Sequence, residues 1–201
     1  MARPYTVASH LHYFNIPLAD FTAARPEFES FAVGGYIFAR HDPAKPRILL
    51  LQRAITDTMG GCWEGPGGAS EPESDKTLLD GVVREVLEET GLHVSRIVDL
   101  VAVDSWQHLR RNRGDMLRIA KYSFIVDVYE GELPREQIPV RLEASEHQAF
   151  EWAVEEEVRR SMQGSGRYQL PLPPTGHQGP NILRSFAWCK EQAAKSTKES
   201  L

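Results

Sequence analysis

Three glutamates, Glu85, Glu88 and Glu89, stand at i, i+3 and i+4, a spacing that puts their side chains on one face of an α-helix. Like charges so close repel one another, so either they project into water or a cation neutralises them. Two neighbours bear on that choice. Arg84 lies directly beside the cluster, and upstream runs Gly60-Gly61-Cys62-Trp63-Glu64-Gly65-Pro66-Gly67-Gly68, where five of nine residues are glycine. Such density marks a loop with special backbone angles, and the carbonyl of Gly67 or Gly68 could add a neutral oxygen to the carboxylates. Hard oxygen donors without Cys or His partners suit Mg²⁺ or Mn²⁺ rather than Zn²⁺.

These residues need elements to carry them. Leu79, Val82, Val83 and Val86 recur at i, i+3, i+4 and i+7 and predict an amphipathic helix over Thr77–Thr90, which Gly91 stops. Phe31–Ala39 and Ile48–Leu51 read as two strands in a hairpin-like arrangement across Asp42, Pro43 and Pro46. Ile97–Val103 and Tyr122–Tyr129 read as further strands joined by a basic, polar connection. Glu151–Met162 and Asn181–Ala194 read as helices, and the Gly- and Pro-rich stretch from Gly164 to Pro180 as a loop that could act as a lid. Residues 1–29 form a lead-in with a short helix near Leu18–Ala24, residues 30–194 the main domain, and 195–201 a solvated tail.

With 201 residues, 41% hydrophobic and 25% charged, the chain fits one globular domain, able to hide roughly 70% of its unfolded surface without cross-links. Cys62 and Cys189 lack the paired spacing of a zinc site or a disulfide framework. Twenty-three basic against 28 acidic residues, a net charge of −5, argue against sequence-blind binding to nucleic acid. No stretch has the roughly 20 apolar residues of a membrane span, and there is no apolar signal-peptide region. A cytoplasmic setting, or a nuclear one, is the expectation.

The run Arg84-Glu85-Val86-Leu87-Glu88-Glu89-Thr90-Gly91-Leu92, with Trp63-Glu64-Gly65-Pro66-Gly67-Gly68 before it, resembles the signature of the Nudix hydrolases. That pattern reads Gly, five residues, Glu, seven residues, then Arg-Glu-(apolar)-x-Glu-Glu-x-Gly-(apolar), often approached by Trp-x-x-Pro-Gly-Gly. The second half matches at every fixed position. In the first half Gly68 precedes Arg84 by sixteen positions instead of fourteen, and Lys76 stands where the family has Glu. Two residues are inserted, and Glu71, Glu73 or Asp75 is left to replace the displaced acid, which in the family braces the loop through the motif arginine.

The resemblance implies an α/β fold, a Nudix-type α/β/α sandwich with a mixed sheet. It also implies hydrolysis of a pyrophosphate bond in a nucleoside diphosphate linked to another moiety, dependent on Mg²⁺ or Mn²⁺. Gly68, Glu85, Glu88 and Glu89 would hold the metal, and Glu85 and Glu146 are candidates for the base that takes a proton from water. Glu146 could equally be a surface acid or helix cap, and His147 reads as a structural hydrogen-bonding residue. On the substrate side, Arg53 points toward the Gly-rich loop as a phosphate contact and Arg84 holds helix and loop together. Trp106 would stack on a base or anchor a strand end. Arg110, Arg111, Arg113, Arg118 and Lys121, against Asp115, could steer phosphates or simply face water. A homodimer is compatible with the family. The rival reading, favoured by Lys76 and the insertion, is a non-catalytic Nudix-fold module that binds a nucleotide or a protein.

Overall fold

The computed structural model describes residues 3–42, 44–110, 114–171 and 177–199. Its elements are β1 (Thr6–Val7), α1 (Leu18–Ala23), β2 (Ser30–Ala39), β3 (Arg47–Arg53), β4 (Trp63–Glu64), α2 (Leu78–Thr90), β5 (Val94–Arg110), β6 (Asp115–Val128), β7 (His147–Ala153), α3 (Glu155–Met162) and α4 (Gln178–Glu199). The strands join in the order β1-β5-β6-β2-β3-β4, with β7 also on β3. β1 with β5 and β2 with β6 are parallel, and the remaining pairs are antiparallel. The sheet is therefore mixed.

Alternation along β2 and β3 divides the interior in two. Val33, Ile37, Leu49 and Leu51 face a core that takes in Leu78, Leu79, Val82 and Val86 of α2. Tyr36, Phe38, Ile48 and Leu50 face the opposite core, shared with Val158 of α3 and with Ile182 and Phe186 of α4. A side-chain period of two on a strand buried on both faces produces this arrangement: one helical layer, the sheet, and a second helical layer, the α/β/α sandwich of the Nudix fold.

α2 is fixed at both ends. The Thr77 hydroxyl accepts from the Asp80 N–H at 3.1 Å, while the Asp80 carboxylate accepts from the Thr77 N–H at 3.0 Å, a reciprocal cap. At the other end Gly91 turns left-handed at φ 69° and closes the helix where a side chain would be strained. Between them the helix approaches the sheet closely at Gly35, where an added Cβ would lie 2.7 Å from a Val86 methyl.

Several boundaries differ from the sequence reading. The Glu151–Met162 helix splits: residues 147–153 form β7, paired along β3 from Ile48↔Ala153 to Arg53↔His147, and only Glu155–Met162 is helical. The edge of β3 offers unpaired backbone groups, and a ladder there outweighs local helix preference. The basic connection is largely strand, because β5 runs to Arg110 and β6 starts at Asp115. Arg110 is bonded to Asp115 and Arg118 to Glu29, while Arg111 and Arg113 lie outside the described residues. So does part of the expected lid, residues 172–176. The last helix extends over Gln178–Glu199. The lead-in is integral to the packing: β1 extends the sheet, and Leu11, Leu18 and Phe21 are buried in the α2-side core. Among the described residues no helix is long and apolar enough to cross a membrane.

Replacing Gly35 by Ala should therefore lower stability to denaturant by about 1–3 kcal/mol, the usual cost of overpacking a tight contact. Adding Val86→Ala to that variant should cost less than the two single changes summed. Additive losses would show that β2 and α2 do not meet tightly at this point.

Candidate active site

The Gly-rich loop owes its shape to hydrogen bonds with β2. Gly35 N–H donates to the Pro66 carbonyl at 3.0 Å, Val33 N–H to the Gly68 carbonyl at 2.9 Å, and Ser70 N–H to the Phe31 carbonyl at 2.9 Å. Gly67 takes φ 147°, and a Cβ there would fall 2.2 Å from the Val33 carbonyl oxygen, so glycine is required. Its N–H is left pointing at α2, where it donates to Glu89 Oε2 at 2.7 Å.

Arg84 ties the same loop to the helix. Its Nε donates to Asp75 Oδ1 at 2.9 Å, Nη1 to Glu85 and Glu88 at 2.9 Å each, and Nη2 to the Ala69 carbonyl at 2.7 Å and Asp75 Oδ2 at 3.1 Å. Asp75 is buried and also accepts the Glu71 N–H at 2.7 Å. Of the three acids near the insertion, Asp75 thus sits against the arginine fork, and Glu71 comes no nearer than 4.0 Å. Every N–H of the guanidinium is engaged within the protein. Arg84 is placed to hold the loop rather than to reach a ligand directly.

The three motif glutamates part company. The side chains of Glu85 and Glu89 are 10% and 5% exposed and face the cleft, whereas Glu88 is 56% exposed at the rim beside Arg84. Burial raises the pKa of the Glu85 carboxyl, partly offset by Arg84. Glu89 rises to about 9, through burial first and then the nearby charges of Glu64 and Glu85, against the lowering pull of the Gly67 N–H. Gly68 packs against this pair, and a Cβ on it would lie 2.7 Å from Glu85 Oε2. The Gly68 carbonyl already accepts the Val33 N–H, which leaves one lone pair for a ligand.

The acids line a polar cavity of about 570 Å³ together with Arg53, Asp57, Gly67, Gly68 and Glu146. A second cavity of about 650 Å³ adjoins it across Arg53, Gly67 and Gly68, and has Trp106, Phe31, Met59, Ile119 and Lys121 on its walls. Arg53 ends β3 and bonds Glu64, Asp57 and the Thr58 carbonyl. Trp106 stands opposite Ile119 in the β5–β6 pair, 40% exposed and facing the second cavity. Glu146 is exposed at the mouth of the polar cavity, its carbonyl accepting the Ala54 N–H at 2.8 Å.

Glu64 and His147 escape a reading of sequence spacing as site residues, whereas Lys121 is among the basic residues that the sequence offers for steering phosphates. Glu64 on β4 is buried beside Arg53. Burial pushes its pKa up, but His147, Lys121 and Arg53 together hold it below the usual range. Lys121, opposite Asp104 on β6, faces the second cavity. His147 opens β7 with its side chain 1% exposed. One ligand atom each from Glu89, Glu146 and His147 lie within 4.8 Å of one another. The only local signal was the adjacency of His147 to Glu146, since the pairing of β3 with β7 is what brings both to α2.

A buried carboxyl whose pKa is raised on folding stabilises the protein fully below its unfolded value, and this is lost as pH climbs to the folded one. For Glu89 that window runs from 4.5 to about 9. Without metal, the melting temperature should fall from pH 5 to pH 9, and Glu89→Gln should flatten much of that slope. Parallel profiles for the two proteins would contradict the assignment of Glu89 as a buried acid.

Comparison with known proteins bears on the same residues. The profile of the NUDIX domain matches residues 30–172. The CTP pyrophosphohydrolase of Escherichia coli (strain K12) is 32% identical over 128 residues, which are 64% of this chain and 75% of that protein. The ADP-ribose pyrophosphatase of Methanocaldococcus jannaschii is 39% identical over 87 residues, 43% of this chain and 47% of its own length. The NUDIX domain of Shewanella oneidensis NrtR, solved as a complex with ADP ribose, superposes with a TM-score of 0.56 at 17% identity, covering 84% of this chain and 96% of that one. At that identity the likeness speaks for the fold alone. With the domain profile spanning well over half of its residues and a curated pyrophosphohydrolase sharing about a third of the aligned positions, this chain belongs to the Nudix hydrolase family.

Proposed function

We propose that the chain hydrolyses a pyrophosphate bond in a nucleoside diphosphate linked to another moiety, with a divalent cation, Mg²⁺ or Mn²⁺, at the motif helix. The observation that carries this reading is the pairing of two cavities across one loop. One is lined by acids and suits a metal–diphosphate group, and the other has an indole, a phenyl and aliphatic side chains suited to a nucleoside. The relatives named for CTP and ADP-ribose support the substrate class without choosing within it.

The donor set fits a divalent ion. Glu85 and Glu89 are two buried carboxylates drawn together with too little positive charge around them, which the raised pKa of Glu89 expresses, and metal binding replaces the proton at such a group. Glu85 and Glu89, with Glu88 and the Gly68 carbonyl, are the ligands in this proposal. When bound, the cation would neutralise the diphosphate, activate water and stabilise the leaving oxygen. Arg53, bordering both cavities, contacts phosphate. Trp106 lies beside the base, and Arg84 acts on the substrate through the loop it holds. Glu146 at the cavity mouth, or Glu85 within it, accepts the proton of the attacking water.

The departure that favoured a non-catalytic module loses its force, because Asp75 occupies the place against Arg84 that Lys76 cannot fill. A protein with no use for a cation would keep two buried, repelling acids at a cost in stability for no return.

A panel of ADP-ribose, CTP and dinucleoside polyphosphates, assayed for phosphate-containing products with and without Mg²⁺ or Mn²⁺, should show metal-dependent turnover of at least one. Glu89→Gln should reduce kcat/KM on that substrate by ~10²–10⁴-fold and leave thermal stability equal or higher, since a buried acid is gone. Retained turnover in that variant would overturn the metal assignment, and no turnover of any compound by the parent protein would overturn the function.

A further inference from the structure

The side chain of His147 is 1% exposed, and neither ring nitrogen has a hydrogen-bond partner among the described residues. Carboxylates flank it on both sides. Nε2 faces Glu64 Oε1 at 3.7 Å and Nδ1 faces Glu89 Oε1 at 4.0 Å, both beyond hydrogen-bond reach. An orphaned, buried imidazole is costly to folding, because each polar atom taken out of water goes unpaired. Its backbone is not free to relieve this, because the His147 N–H donates to the Glu143 carbonyl and the residue pairs with Arg53 across β3 and β7. The ring is therefore held in place facing a carboxylate that itself lacks a counter-charge.

Building on the metal-dependent reading of this cleft, we propose that His147 supplies a nitrogen ligand, Nδ1, to the cation held by Glu89, and that Glu146, whose ligand atom lies within 4.8 Å of both, joins them. Two donors bonded to one small ion at about 2.1 Å each lie no more than about 4.2 Å apart, and the Nδ1 to Glu89 Oε1 separation of 4.0 Å falls inside that span. Nε2 then carries the proton and turns it toward Glu64, whose own position is set by Arg53. The negative charge of Glu64 on that side, though not bonded to the ring, favours the tautomer that leaves Nδ1 free to ligate. The consequence is selectivity. Mg²⁺ keeps to oxygen, whereas Mn²⁺ and later divalent ions of the first row accept imidazole, so this site should favour Mn²⁺ over Mg²⁺ more strongly than an all-oxygen centre of equal charge. Sequence reading alone pointed to oxygen donors only.

The test uses the full chain loaded with Mn²⁺ and labelled with ¹⁵N-histidine, read by pulsed electron paramagnetic resonance. A nitrogen hyperfine coupling should be present, change with the isotope, and vanish in His147→Gln. In that variant Mn²⁺ affinity should fall by ~10-fold or more, while Mg²⁺ affinity should change by less than ~3-fold. The spectrum of the unmutated protein decides the matter even if the variant folds poorly. Mn²⁺ bound at the site, as shown by its loss in Glu89→Gln, but with no isotope-sensitive coupling would overturn the role of His147 and leave the metal-dependent hydrolase intact. Absence of Mn²⁺ binding altogether would overturn the nitrogen ligand, while the hydrolase reading stands or falls on turnover with Mg²⁺.

Discussion

Glu85 and Glu89 are carboxylates held out of water on one face of α2, about a turn apart, and most of the molecule can be understood as the apparatus that keeps them there. Repulsion between them, with Glu64 close by, is tolerated because Arg84 compensates Glu85 from one side and the Gly67 N–H bonds Glu89 from the other. Neither contact neutralises the pair. What remains is a local excess of acidic groups partly withdrawn from water, where a divalent cation gains more than it would at the open surface. Burial first, and then the charges of Glu64 and Glu85, raise the pKa of Glu89 well above the ordinary range of a carboxyl group.

Holding that arrangement requires two rigid supports. One is the fork of Arg84, which spans Asp75, Ala69 and two glutamates and converts the inserted segment into a braced loop; a lysine could not make this planar set of contacts. The other is the packing of α2 on β2, tight enough at Gly35 to leave no room for a methyl group. Loop, strand and helix are each bound to the other two, so a shift in one displaces the carboxylates. Within that loop it is Asp75, nine residues before Arg84, that returns to the arginine.

Much of the scaffold was legible in residue order because its signals are local. The apolar period of α2 and its stop at Gly91 lie within one stretch, as do the apolar runs of the strands around Tyr36 and Leu50. The motif run likewise names its own acids. The end of β7, residues 151–153, reads as helix from sequence because the deciding partner, the open edge of β3, lies about a hundred residues away along the chain. The lead-in carried no strong period, yet Phe21 and Leu11 fill the core, since their burial depends on surfaces supplied by β6 and α2.

The chain's order of residues by itself determined the helix, its three acids and the glycines of the loop, because each rests on contacts between near neighbours. Only the tertiary structure decided which acids turn inward, that Asp75 meets Arg84, and that His147 and Glu64 close on Glu89. Those juxtapositions depend on how separate strands register against one another, and a register is settled by the packing of the whole sheet.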